Sequence, residues 1–265
     1  MSTTGTTQTA LVTGASSGIG FELTRCLVRD GYRIIMVSKH EDRLSAAAKR
    51  IRAEWPNAVI DVIACDLAKP EGPGLIEQKV REMGVTINVL INDAGFGEHG
   101  FFTETNLQKE LEIIQLNVVS LVHLTKIFLP EMVQRNSGRI LQLGSIVSFM
   151  PSPLMAVYAA TKAFVLSFTE ALQNELKDTA VTMTVLCPPA TDTNFFKVAD
   201  AEHTKAANGN LATPEEVAQV GYEALMKGEA RAIPSWSAKI QAASSGIVPD
   251  SVLAGNMRKQ MEPEK

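Results

Sequence analysis

Tyr158-Ala159-Ala160-Thr161-Lys162 sets a phenol and an ammonium four residues apart, on one face of any helix that contains them. A phenol beside a cation is an acid–base pair, because the positive charge favours the phenolate. Two more polar residues belong to the same reading. Ser145 closes the apolar run RILQLGS, and Asn117 lies in the helical stretch that follows VLIND. A second segment fits two unrelated chemistries. Gly14-Ala15-Ser16-Ser17-Gly18 spells the G-x-S-x-G nucleophile elbow of serine hydrolases, whereas Gly14, Gly18 and Gly20 together form a glycine-rich turn. Such a turn brings backbone N–H groups against phosphate oxygens at a helix N-terminus. An elbow needs an acid and then a histidine downstream. Of the four histidines only His203 comes late in the chain, in a polar loop, so the glycine turn is the better reading and Ser16 is not a nucleophile.

The elements that would position these residues are short and regular. TALVT, YRIIMVS, AVIDVIAC, INVLIND, RILQLGS, VTMTVLC and ARAIP are apolar and rich in β-branched residues, with helical spacing between them. Such alternation predicts an α/β fold, a Rossmann-type doubly wound parallel sheet of about seven strands with helices on both faces. Gly31, Asn57 and Gly84 stand where the first three helices would end. One domain is expected over 1–234, including a substrate loop at about 188–210, polar from Ala199 to Asn210 and long enough for a lid. The tail 235–265, with Trp236, Ile240 and Leu253, would pack on the domain or on a subunit interface.

Of 265 residues 45% are hydrophobic and 20% charged, with a net charge of −4, enough for one substantial core. An acidic pI near 5.7 argues against nucleic acid as a partner. Cys26, Cys65 and Cys187 are scattered without zinc-type spacing, so no metal site is expected and a reduced compartment is the simplest setting. The N-terminus MSTTGTTQT is polar, and no apolar run reaches the ~18 residues that suggest a spanning helix. A cytoplasmic protein without membrane insertion is the expectation.

The end of the second strand, IIMVSKHEDR, bears on which dinucleotide the glycine turn would hold. Acidic residues there bind the adenosine ribose of NAD, and basic ones accommodate the extra phosphate of NADP. Ser38 and Lys39 come first, with Arg43 one turn on, which favours NADP(H) and leaves NAD(H) possible. Glu41 reads instead as part of a Ser38-x-x-Glu41 capping box. Asp66 has a similar structural alternative, as N-cap of the third helix.

TGASSGIG, Asp66-Leu67, Asn92-Asp93-Ala94-Gly95, Asn117-Val118, Gly144-Ser145, Tyr158-x-x-x-Lys162 and Cys187-Pro188 occur in the order of the short-chain dehydrogenase/reductase family, which the chain resembles over about residues 8 to 234. The resemblance implies that Tyr158 protonates a carbonyl oxygen as hydride arrives from a nicotinamide, and acts as the base in oxidation. It implies that Lys162 binds the nicotinamide ribose and lowers the Tyr158 pKa, that Ser145 hydrogen-bonds the substrate oxygen, and that Asn117 holds a water. Moving a phenol from ~10 to ~7 requires about 4 kcal/mol, which one cation at ~4 Å in an effective dielectric near ~20 supplies. The implied cofactor contacts are Gly14, Ser16, Ser17, Gly18, Ile19 and Gly20 in the turn, with Ser38, Lys39 and Arg43 beyond the second strand. Asp66, Leu67, Asp93, Ala94, Gly95, Tyr158, Lys162, Pro188 and Thr193 complete the set, Thr193 at the position that bonds the carboxamide.

Two departures from the family pattern stand out. Asp93 replaces an amide with a carboxylate, which when ionised accepts but cannot donate and opposes the cofactor phosphates. Pro189 replaces a glycine and stiffens the turn after the sixth strand. Phe96, Phe101, Phe102, Phe149, Met150, Met155, Phe195 and Phe196 would make an apolar cleft suited to a hydrophobic ketone, alcohol or 3-oxoacyl group. A homodimer or homotetramer is implied, through helices starting near Val118 and Met155. A non-catalytic dinucleotide sensor would have lost Tyr158, Lys162 or Ser145, and epimerising or dehydrating relatives carry a larger substrate region.

Overall fold

The computed structural model describes residues 8–244 and 247–263. Residues 1–7, 245, 246, 264 and 265 lie outside the described residues. Seven strands form one parallel sheet in the order β3-β2-β1-β4-β5-β6-β7, as β1 (Thr9–Thr13), β2 (Arg33–Ser38), β3 (Ile60–Ala64), β4 (Ile87–Asn92), β5 (Gly138–Leu143), β6 (Val181–Leu186) and β7 (Arg231–Ala232). The order reverses between β1 and β4, which opens a crevice at the carboxyl ends of those strands.

The strands read as continuous apolar runs because both faces are covered. Along β1, Ala10 and Val12 enter the core beneath α1 (Gly18–Arg29), α2 (Glu41–Glu54) and α9 (Pro214–Lys227), whereas Leu11 enters the opposite core. That second core is closed by α3 (Gly72–Glu82), α5 (Leu121–Gln134) and the C-terminal end of α6 (Ala156–Glu175) through Ile76, Leu124, Phe128 and the α6 cap residue Leu176. Each fully buried leucine of this kind contributes about 2 kcal/mol. Positive φ at Gly31 and Gly84 closes α1 and α3 where the sequence placed their ends. The second helix stops at Trp55, before Asn57.

Some local expectations are corrected. The Ser38–Glu41 capping box does not form: His40 precedes α2, and Ser38 is the last β2 residue, held by its pairing with Ala64. Asp66 is not a helix cap, since α3 begins at Gly72 and the Asp66 carboxylate instead accepts from the Ala68 N–H at 3.0 Å. Asn117 lies in a π-helical turn, Gln115–Ser120, between α4 (Leu107–Ile114) and α5. The whole stretch Leu107–Gln134 is long and apolar enough to cross a membrane by length and composition, contrary to the sequence reading; here it packs on α3, α6, β4 and β5.

The tail is not a loose appendage. It forms α10 (Trp236–Ser244) and α11 (Asp250–Met261), whose Ala238, Leu253, Met257 and Met261 join Ile146, Met150, Met155 and Phe196 in a third core at the open end of the sheet.

Candidate active site

The glycine turn joins β1 to α1 at the crevice. Gly14 has φ +70°, and a Cβ there would lie 2.7 Å from Asp93 Oδ2 and 3.0 Å from the Ala94 nitrogen. A Cβ at Gly20 would lie 2.5 Å from the same oxygen and 2.8 Å from the Gly14 carbonyl. Glycine therefore lets the turn fold flat against β4. Ser17 precedes α1 in extended conformation and its hydroxyl does not cap the helix, so the first N–H groups of α1 and the Ser17 hydroxyl are left to the crevice that Ser17, Gly18 and Ile19 line. These are the donors a pyrophosphate needs, and a side chain in the turn would fill the space.

Ser145 follows β5 and starts a 3₁₀ turn, Ile146–Phe149, in which its Oγ accepts from the Val147 N–H at 3.3 Å while the Ser148 hydroxyl accepts from the Ser145 N–H at 3.1 Å. Reciprocal capping holds the Ser145 hydroxyl at the cleft wall. Tyr158 and Lys162 occupy successive turns of α6, with Lys162 Nζ 5.8 Å from the centre of the Tyr158 ring. The Lys162 ammonium donates to the Leu143 carbonyl at 2.7 Å and is only 3% exposed. Asn117 Nδ2 donates to the Phe96 carbonyl at 3.0 Å and to Thr161 Oγ1 at 3.1 Å, and its Oδ1 accepts from the Phe96 N–H at 3.3 Å. The carboxamide is thus a strut from the π turn to α6 and the loop after β4. Its Oδ1 and Lys162 Nζ flank one point, 3.0 and 3.6 Å from a Cβ built at Gly95.

Burial dominates the electrostatics of the site floor. Burial pushes the Tyr158 phenol above its usual range, with the Ser145 hydroxyl opposing and the Asp93 charge adding to the rise. Burial also brings Lys162 down to about 8, partly offset by Asp93. In this dry floor desolvation disfavours the charged form of both groups. Asp93 is pushed up to about 7 by burial, against the pull of Lys162 and of the Gly20 amide.

The other predicted contacts gather around one cleft of about 820 Å³, lined by Gly14, Ser16, Ser17, Gly18, Ile19, Ser38, Lys39, Arg43, Asp66, Leu67, Asp93, Ala94, Gly95, Ser145, Tyr158, Pro188 and Thr193. Gly20, Asn117 and Lys162 stand behind that lining, as spacer, strut and buried cation. The Ser16 and Ser38 hydroxyls lie 3.0 Å apart, and Lys39 Nζ is 2.9 Å from Asp66 Oδ2. The cation at the end of β2 is thus paired with Asp66 rather than free.

Of the predicted apolar residues, Phe96, Met155, Phe195 and Phe196 line the cleft, and the Phe195 ring packs 4.9 Å from that of Tyr158. Phe101 and Phe102 are exposed, Phe149 stacks under Arg231 and Met150 is buried in the third core. The segment 199–210 is not a loose polar lid. Ala199, Ala201 and Thr204 are fully buried, the short helix α7 (Phe195–Val198) leads into the segment, and α8 (Lys205–Asn208) lies within it. Its anchor is the C-terminal end, where Thr204 pairs with Pro263, the Lys205 N–H donates to the Glu262 carbonyl at 3.2 Å and His99 Nε2 donates to the Met261 carbonyl at 2.8 Å. Gln241, Met257, Gln260 and Met261 line the cleft and were missed, because nothing in their spacing sets them apart from a packed helix.

The short-chain dehydrogenase family model matches residues 8–204. The chain belongs to this family of oxidoreductases. A very-long-chain 3-oxoacyl-CoA reductase of Mycosarcoma maydis is 33% identical over 215 residues, which cover 78% of this chain and 58% of that protein. The chain spans about half the length of several further relatives of that name. The ketoacyl reductase HetN of Nostoc is 29% identical, with 84% of this chain and 77% of that one covered. Among solved structures, a short-chain dehydrogenase from Sphingobium yanoikuyae in complex with NADPH superposes with TM-score 0.81 at 29% identity over 95% of this chain and 97% of that one. One from Burkholderia phymatum in complex with NAD shares the fold, with TM-score 0.82 at 21% identity over 98% of each chain.

Proposed function

We propose that this protein is an NADP(H)-dependent reductase that interconverts a hydrophobic ketone, of 3-oxoacyl type, and the corresponding secondary alcohol. The observation that carries the reading is the position of Ser145 and Tyr158, on the wall of an apolar cleft continuous with the glycine turn. A bound nicotinamide supplies or accepts the hydride. Everything else falls to the chain's own residues. Ser145 donates to the carbonyl oxygen, Tyr158 delivers a proton to it, and Lys162 beneath them stabilises the charge left on the phenol. A phenol held protonated by burial suits the reducing direction.

The cofactor preference rests on Lys39 and Arg43 at the adenosine end, supported by the NADPH in the Sphingobium yanoikuyae relative. The substrate class rests on Phe96, Met155, Phe195 and Met257 along the cleft, supported by the 3-oxoacyl-CoA and ketoacyl reductases it resembles. Self-association fits an exposed apolar stripe, Leu107, Leu111, Ile114 and Val119, near exposed Phe164 on α6.

The test is oxidation of NADPH and NADH with medium- and long-chain 3-oxoacyl thioesters and bulky ketones, alongside Tyr158→Phe. NADPH-linked turnover that rises with chain length and drops about 10²–10⁴-fold in Tyr158→Phe supports the assignment. Unchanged turnover in that variant overturns the mechanism, and preference for NADH overturns the cofactor.

A further inference from the structure

Asp93 is a carboxyl group in a place where a carboxylate is costly. Its Oδ2 presses against the glycine turn, so close that a Cβ at Gly14 or Gly20 would meet it at 2.7 or 2.5 Å. Its Oδ1 is buried and has no hydrogen-bond partner among the described residues. The groups that face the side chain come from three elements. From β1 the Thr13 hydroxyl accepts the Asp93 N–H at 3.0 Å, leaving the carboxyl unserved. From the start of α1 the Gly20 amide points to the carboxyl. From α6 Lys162 brings the one cation that acts on it among the described residues, with the neutral Tyr158 phenol beside it. Lys162 is in turn held by the Leu143 carbonyl and felt by the buried Cys187 thiol, so its charge is shared.

The other side of this same turn is where the cofactor phosphates would lie. Adding negative charge there raises the cost of an ionised Asp93, and Lys162 is the one cation acting on this carboxyl among the described residues. We infer that Asp93 serves the bound dinucleotide as a neutral carboxylic acid, so that cofactor binding draws one proton from solvent onto this side chain. The inference rests on dinucleotide binding at the glycine turn and on nothing about the substrate. No bond other than O–H forms, and the proton comes from the buffer.

Burial has already brought the carboxyl up to about 7 in the free protein, so near neutrality only part of a proton remains to be taken up. Linkage then sets the sign. Because the bound form holds more protons, affinity falls as pH rises, by up to tenfold per pH unit between the two pKa values. A neutral Asp93 also withdraws a negative charge from the surroundings of Tyr158, which eases ionisation of the phenol in the oxidising direction.

The experiment is calorimetric titration of the whole protein with NADH and with NADPH, in phosphate and in Tris, combined with fluorescence titration from pH 6.5 to 9. NADH lacks the 2′-phosphate, whose own titration would otherwise contribute. Expected for the wild-type protein with NADH is uptake of about half a proton at pH 7 and a Kd about tenfold weaker at pH 8.5. In Asp93→Asn the uptake vanishes, Kd is flat with pH, and binding at pH 8.5 is tighter than in the wild type. No proton uptake by the wild-type protein at pH 7 overturns the inference even if the variant fails to fold. Uptake that survives in Asp93→Asn overturns it too. Absence of binding of either nucleotide at every pH would instead overturn the cofactor assignment, a different result from binding without a slope.

Discussion

Replacing Gly20 by alanine sets two effects of opposite sign against each other. In a helix, alanine is worth about 1 kcal/mol more than glycine, so wherever the space is open the exchange stabilises. At Gly20 the space is not open. The new Cβ would sit 2.5 Å from Asp93 Oδ2, 2.8 Å from the Gly14 carbonyl oxygen and 3.0 Å from its carbon, and two of these three are backbone atoms of the turn. Overlap of this kind in a packed site costs about 1–3 kcal/mol, and the upper part of that range applies where neither neighbour can retreat. The turn, pressed on Asp93, is such a place. Gly20→Ala is therefore expected to lose about 1–2 kcal/mol net and to melt about 3–8 °C lower. Because relief requires the turn to move, dinucleotide affinity should fall at least tenfold. Gly255, in the middle of α11 with nothing within 4 Å of its Cβ position, is the control, and Gly255→Ala should gain about 0.5–1 kcal/mol. Thermal and urea unfolding of both variants, with NADPH titration, decides the matter. A Gly20→Ala protein as stable as Gly255→Ala and binding the nucleotide normally would refute the packing argument.

Three further outcomes follow from the site. A carboxyl held near 7 in the fold and at ~3.9 when unfolded binds more protons folded than unfolded between those values, so its contribution to stability is lost as pH rises from 4 to 7; urea unfolding should show the stability gap between Asp93→Asn and wild type widening in favour of the variant over that window, by at most about 4 kcal/mol, and a constant gap would count against the buried charge. Lys39→Glu should weaken NADPH about 10–100-fold in titrations and leave NADH within a few-fold, because it removes the cation paired with Asp66 at the adenosine end and adds repulsion toward a 2′-phosphate; equal loss for both nucleotides would show Lys39 acting only through its neighbours. Removal of residues 250–265 should raise KM for long-chain 3-oxoacyl thioesters about tenfold or more while cofactor Kd stays within a few-fold, since α11 lines the far end of the cleft and anchors the 199–210 segment; an unchanged KM would mean that the substrate never reaches Met257.

Much of the site could be read from residue order alone. Parallel strands buried on both faces must be nearly continuous in Val, Ile and Leu, and so each of the seven runs announces itself, even though β7 shrinks to Arg231–Ala232. Glycine spacing, Tyr158 four residues before Lys162, and Ser145 at a strand end are local patterns tied to strand ends, and strand ends converge by topology. The sequence by itself therefore determined the fold class, the place of the crevice and the identity of the residues around it. What it could not contain is the balance of energies between groups distant in the chain. That Ser38 meets Ser16 instead of capping α2, and that Lys39 is taken by Asp66, depends on pairing across strands. Desolvation of Tyr158, Lys162 and Asp93 arises only when β1, β4, α1 and α6 close around them. The tertiary structure also decided what α11 does: Met257 and Met261 look like any helix core until the fold carries them to the cleft, because a cavity wall is defined by what faces it across space and not by spacing along the chain.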